Sequence, residues 1–126
     1  MPLSSVVRER CRALLPPGTE IRYLFPATAN SASGFSFVQK PFLFVVTAEN
    51  VIMLECSWRS HDRPKAVHWT YPRTLRLGPV DTVVDPTFTF DGSPFQTWDE
   101  YVPVIAAADA EVRDRDFGPP DPLPDL

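Results

Sequence analysis

The chain has little of what most recognisable activities require. Its 126 residues include only five glycines, two histidines and two cysteines. No P-loop and no Gly-x-Gly-x-x-Gly occurs among the glycines, which excludes nucleotide binding by those routes. Two thiols, Cys11 and Cys56, cannot staple a disulfide-rich scaffold. No apolar run approaches the ~18 residues that a membrane-spanning helix needs. Arg8, Arg10 and Arg12 stand where a signal peptide would carry its apolar core, which predicts a cytoplasmic protein with free thiols. Long helices are also disfavoured, because fifteen prolines are spread along the chain; coiled coils and helical bundles become poor candidates.

What remains is enough for one globular unit. A 44% hydrophobic and 12% aromatic composition supports a core, and 126 residues suit a single domain, expected over residues 1–116. The net charge of -4 is unevenly placed. Residues 1–76 hold eight arginines and two lysines against five acids, whereas residues 77–126 hold Arg113 and Arg115 against eleven acids. The surface is bipolar only if folding keeps these halves apart.

Periodicity sets the expected elements. Val7, Cys11, Leu14 and Leu15 recur at helical spacing, with Pro16, Pro17 and Gly18 ending the helix. Strands are then expected at residues 20–25 and 35–39, separated by a polar loop over residues 30–34. A hairpin follows: FLFVVT, a turn at Asn50, and a returning strand with Ile52, Leu54, Cys56 and Trp58 on one apolar face. Further strands are expected at residues 66–71, 81–90 (one or two, broken at Pro86) and 95–101, with a short segment over residues 74–77 and a turn at Asp91-Gly92. Pro103 suits the first turn of a closing helix, whose apolar stripe is Val104, Ile105, Ala108 and Val112. Residues 117–126, FGPPDPLPDL, read as an acidic, flexible, proline-rich tail.

A short helix, about seven tightly turned strands and a C-terminal helix describe a mainly β, α+β protein: a strongly bent antiparallel sheet or partly open barrel with the helix capping it. The order LLPPGTEIR, FLFVVTAENVIML, YPRTLRLGP and YVPVIAAADAEV resembles the small pleckstrin-homology-like (PH-like) proteins of actinobacteria, over residues 14–113. The resemblance implies a non-enzymatic binding or scaffolding module. PH domains that bind inositol phosphates carry basic residues between their first two strands; here that loop is TANSASG, without Lys or Arg.

Few residues invite chemistry. Cys56, His61 and His68 form a Cys-x4-His-x6-His series that fits no zinc pattern, so no metal and no cofactor are expected. Ser60, His61 and Asp62 are consecutive and cannot align as a triad, and Asp99 and Glu100 would lie on opposite faces of a strand. A hydrolase is therefore the weakest reading. The basic segment carries Arg59, His61, Arg63, Lys65, Arg73 and Arg76, with His68 and the single acid Asp62. It is either a solvated loop or a patch for an acidic peptide, a phosphate or, less readily, a membrane surface. Nucleic acid is not expected at a pI near 5.0. The leading expectation is a protein or peptide partner bound at a sheet edge or beside the C-terminal helix. The alternative is a small-molecule or lipid carrier whose cavity is lined by Phe35, Phe37, Phe42, Phe44 and the tryptophans.

Overall fold

The computed structural model describes residues 5–33, 36–57 and 61–117. They run in order as α1 (Ser5–Arg12), β1 (Tyr23–Ser33), β2 (Ser36–Val46), β3 (Asn50–Cys56), β4 (Pro64–Pro72), β5 (Thr87–Phe90), β6 (Ser93–Gln96), a 3-10 turn (Asp99–Tyr101) and α2 (Val102–Phe117). All six strands join one antiparallel sheet in the order β4-β3-β2-β1-β6-β5, which does not close. The protein is thus mainly β, and its described residues form two helices and six strands where about seven strands were expected.

Two prolines account for much of the difference. Residues 35–39 and 42–47, expected as separate strands, belong to one strand that continues through Pro41. Pro41 pairs with Thr28 but lies beyond the last β2–β3 pair, Phe42 with Glu55, so its missing N–H costs no bond on that side. Pro26 is tolerated within β1 for the same reason: β6 reaches β1 only at Thr28 and Ala29. The polar loop expected over residues 30–34 is largely strand, since β1–β2 pairing runs on to Ser33 and Ser36. The short segment over residues 74–77 lies in turn and irregular chain, residues 82–86 carry no strand, and the last strand stops at Gln96, giving way to the 3-10 turn. The Asp91-Gly92 turn is as expected: φ is 51° and 80° at the two residues, the left-handed pair that a two-residue hairpin needs. The side chain of Trp58 and the tail beyond Phe117 lie outside the described residues.

The sheet is buried on both faces at its centre. On one face Val7, Cys11 and Leu15 from α1 and its following turn pack with Leu24, Leu43, Val45, Ile52, Leu54 and Cys56. On the other, six phenylalanines (Phe25, Phe42, Phe44, Phe88, Phe90 and Phe95) pack with Met53 and with Ile105 and Ala108 of α2. Phe44 is the hub. Its ring stacks on Phe25 at 5.0 Å and meets Phe88, Phe90 and Phe95 edge-on at 5.2 to 5.6 Å, the geometry that ring quadrupoles favour. The sheet curls far enough that Tyr71 on β4 touches Phe90 on β5, with centroids 4.7 Å apart.

Polar contacts fix α2 across this core. Glu111 accepts from the Arg22 guanidinium and, at 2.9 Å, from the Tyr23 hydroxyl. Arg73 lies 3.9 Å from the same carboxylate and donates to the Ala108 carbonyl at 2.8 Å. Two residues before Glu111, Asp109 accepts from the backbone N–H groups of Leu77 and Gly78 at 2.8 and 2.7 Å. A Cβ at Gly78 would stand 3.0 Å from the Asp109 carboxylate, so glycine is what lets the loop approach the helix this closely.

Leu54→Ala should cost about 2 to 5 kcal/mol, whereas Thr70→Ala on exposed β4 should stay within about 0.5 kcal/mol. Chemical denaturation of both variants checks this, and equal small effects would refute the assigned burial. Partial burial of Glu111 works to raise its pKa, but hydrogen bonds from Tyr23 and Arg22 and the charges of Arg22 and Arg73 outweigh it and hold the carboxyl below its ordinary value. A carboxyl depressed in the folded state stabilises above its unfolded pKa, and that contribution disappears as pH falls through the folded value. Glu111→Gln should therefore be less stable than wild type at pH 7, with the gap narrowing toward pH ~3, as thermal melts across that range would show.

Candidate interaction site

The site grows from β4, one of the two outermost strands. The other edge is short and partly occupied: β5 has four residues, and its Thr87 exchanges both backbone bonds with Asp81, at 2.7 and 2.9 Å. β4 has nine residues, and no described strand pairs with its outer side. It carries devices that limit uncontrolled strand pairing: proline at both ends, Lys65 near its start, and a register shift that leaves His68 unmatched between the Met53–Trp69 and Leu54–Val67 pairs. Between these stand Val67, 42% exposed, and Trp69, 61% exposed. A tryptophan so open on an edge strand leaves a large apolar surface in water.

A groove borders this strand on the α2 face. It is an open depression of about 240 Å³ lined by Phe42, Met53, His68, Tyr71, Phe90 and Phe95, with Lys40 and Asp91 at its margin. The bulge explains the place of His68, whose ring meets Phe42 edge-on at 5.3 Å. Phe42 and Phe44, expected in the carrier reading to line a cavity, pack into the aromatic core and leave this shallow groove beside it. The side chains of Phe35 and Phe37 lie outside the described residues.

The basic residues do not share one environment. Arg63, Lys65 and Arg76 are exposed, while Arg59 lies outside the described residues. Arg73 departs from the expected surface patch: it is only 4% exposed and serves the α2 clamp. His61 is half-buried on the α1 side, where Nε2 lies 3.2 Å from both the Ala27 carbonyl and Thr28 Oγ1. A carbonyl only accepts, so Nε2 carries the hydrogen and Nδ1 is the basic nitrogen. The ring also meets Trp98 edge-on at 5.1 Å, and Arg10 of α1 donates to the Asp62 carbonyl at 2.8 Å, so the β3–β4 loop is tied down at two points.

The three candidate metal ligands are not brought together. Cys56 is buried toward α1, His61 leans on β1, and His68 lines the groove on the opposite face; among the described residues no three His, Cys, Asp or Glu side chains gather into a metal cluster. Burial pushes the Cys11 thiol up to about 11 and the Cys56 thiol to about 12, leaving neither as a thiolate nucleophile at neutral pH. No described helix is long and apolar enough to cross a membrane. Comparison with family models, curated proteins and solved structures finds no match for the chain.

The alternation of Val67, Trp69 and Tyr71 marks a strand, and of the three only Tyr71 packs against the core. The exposure of Val67 and Trp69 has its sequence signal in Pro64, Lys65 and Pro72, which mark an edge strand.

Burial lowers the pKa of His61, opposed in part by the Ala27 carbonyl and by Asp62. The folded state therefore favours neutral imidazole, and its contribution is present above the unfolded value of about 6.5 and lost as pH falls below it. Wild type should lose stability relative to His61→Gln between pH 7 and pH 5, measured by denaturant unfolding. A constant difference would show that the ring is not protected from protonation.

Proposed function

We propose that the protein is a non-enzymatic interaction module of the PH-like kind that binds an extended segment of a protein partner along β4. The observation that carries this reading is the exposed edge of β4, where Trp69, paired with Met53, stands in water on the face of the apolar groove and Val67, paired with Leu54, stands in water on the opposite face. An extended segment added at such an edge gains main-chain hydrogen bonds from the strand and side-chain selectivity from the adjacent depression. The bulge at His68 and the terminal prolines restrict the addition to a short register, which suits recognition of a few residues. Arg63 and Lys65 favour a segment with acidic residues. The mainly β architecture and the buried, protonated thiols are compatible with binding and offer no evident nucleophile.

Peptides selected by display against the purified protein should perturb backbone amides of residues 64–72 in NMR spectra. Trp69→Ala should weaken the selected peptides by about thirtyfold, as measured by calorimetry, in line with the ~2 kcal/mol typical of a central tryptophan anchor. Peptides that bind with β4 amides unmoved, or a robust catalytic turnover without stable binding, would refute the proposal.

A further inference from the structure

Between Gly78 and β5 the chain builds a rigid protrusion. Asp81 and Thr87 close it with their two backbone bonds, the Asp81 carboxylate accepts from the Val83 N–H at 2.9 Å, and Thr87 Oγ1 donates to the Asp85 carbonyl at 2.8 Å. The carbonyl of buried Pro86 accepts from Thr97 N–H at 3.0 Å, fixing the base of the loop to the sheet. At its tip stand two consecutive valines, Val83 at 88% and Val84 at 86% exposure. Scattered apolar residues at a surface are ordinary, but two adjacent β-branched side chains on a braced loop present a preformed apolar knob. Bracing matters energetically, because a loop already ordered loses little conformational freedom when it docks.

The flanks of the knob say what it fits. Asp81 and Asp85 border the valines, and residues 78–91 contain three aspartates and no Lys or Arg. The complementary surface is apolar with cations beside it, and this chain has one. The groove face of the β4 edge offers Trp69, exposed Arg63 and Lys65 stand about the start of the strand, and Lys40 stands at the groove, where it pairs with Glu55 at 3.8 Å. Asp91 is the acid at the groove's margin. Within one molecule the two surfaces do not meet, since the valines are almost wholly in water, and the knob precedes β5 whereas Phe90, which touches Tyr71 of β4, ends it.

We infer that a second copy of this chain docks its Val83–Val84 knob on the β4 edge and groove, giving head-to-tail self-association. The inference rests on the reading of β4 as a docking surface and names its occupant. Knob and groove are different patches, so the contact is heterologous and propagates into short chains. Its ionic part weakens with salt.

Sedimentation velocity on the full chain tests this. At low salt the wild type should show a sedimentation coefficient that rises with concentration, and added salt should lower it. The double variant Val83→Ser/Val84→Ser and the single variant Trp69→Ala should each weaken association by about tenfold or more without loss of fold, because all three side chains are exposed. An equimolar mixture of the two variants should recover a one-to-one dimer and nothing longer, since each supplies the surface that the other lacks. Three results would overturn the proposal: a wild type monomeric at its highest soluble concentration, association indifferent to Trp69→Ala, or a mixture that stays monomeric. A monomeric wild type that still binds display-selected peptides at β4 would overturn the second copy alone; one that binds no such peptide would overturn the docking reading with it.

Discussion

The hairpin of β2 and β3 is covered on both faces, and that double burial positions the other elements. A strand buried on one face needs alternating polarity, but FLFVV and VIMLEC are apolar at nearly every position, so each face requires its own cover. α1 supplies one with Val7 and Cys11; α2 and the β5–β6 hairpin supply the other through Ile105, Ala108, Phe88, Phe90 and Phe95. Phe44, in contact with four aromatic rings, joins the hairpin to the rest of the second face. The charged clamp of Arg22, Tyr23, Arg73 and Glu111 then fixes α2 on a surface already determined by apolar packing. It sets position more than it supplies driving force, since partly exposed ion pairs are individually weak.

Covering the centre leaves the sheet's two ends with different fates. β5 is short, and Asp81 occupies the backbone groups of Thr87, which removes much of that edge as a template for another chain. β4 meets α1 at a few residues only and is exposed along most of its length, so its proline, lysine and bulge devices are the means of limiting unwanted pairing there. An edge protected by its own sequence can remain accessible without becoming an indiscriminate aggregation surface. Access with restricted register is what selective strand addition requires.

Local patterns made much of the fold legible. The α1 stripe, the central hairpin, the Asp91-Gly92 turn and α2 all follow from spacing or turn chemistry that belongs to a few neighbouring residues. Errors arose where a residue's meaning depended on a distant strand. Pro26 and Pro41 look like strand breakers until the short reach of β6 and the end of β3 pairing are known. Arg73 belongs by sequence to a basic run, yet its guanidinium is taken into the fold by Ala108 and Glu111, more than thirty residues away. His61 likewise becomes a brace only when the β3–β4 loop meets β1. Folding therefore takes Arg73 and His61 out of the basic segment's open surface, while the exposed apolar site emerges from the edge position of β4.

The distribution of apolar side chains separates structural need from surplus. Phenylalanine is concentrated in the core around Phe44, where large rings fill the space between the curled sheet and α2. Val67, Trp69, Trp98, Val83 and Val84 remain exposed at the margins of that packing. Trp98 has a local role, since its ring contacts His61 and Tyr101 and braces the loop and the 3-10 turn. The valine pair has no comparable role in covering the core, although an elaborate set of backbone and side-chain bonds holds its loop in shape. Ordering a loop costs conformational entropy, and presenting apolar groups to water brings no folding benefit. The proposed contact with a second copy would bury those side chains and so give the loop a value that the isolated monomer does not.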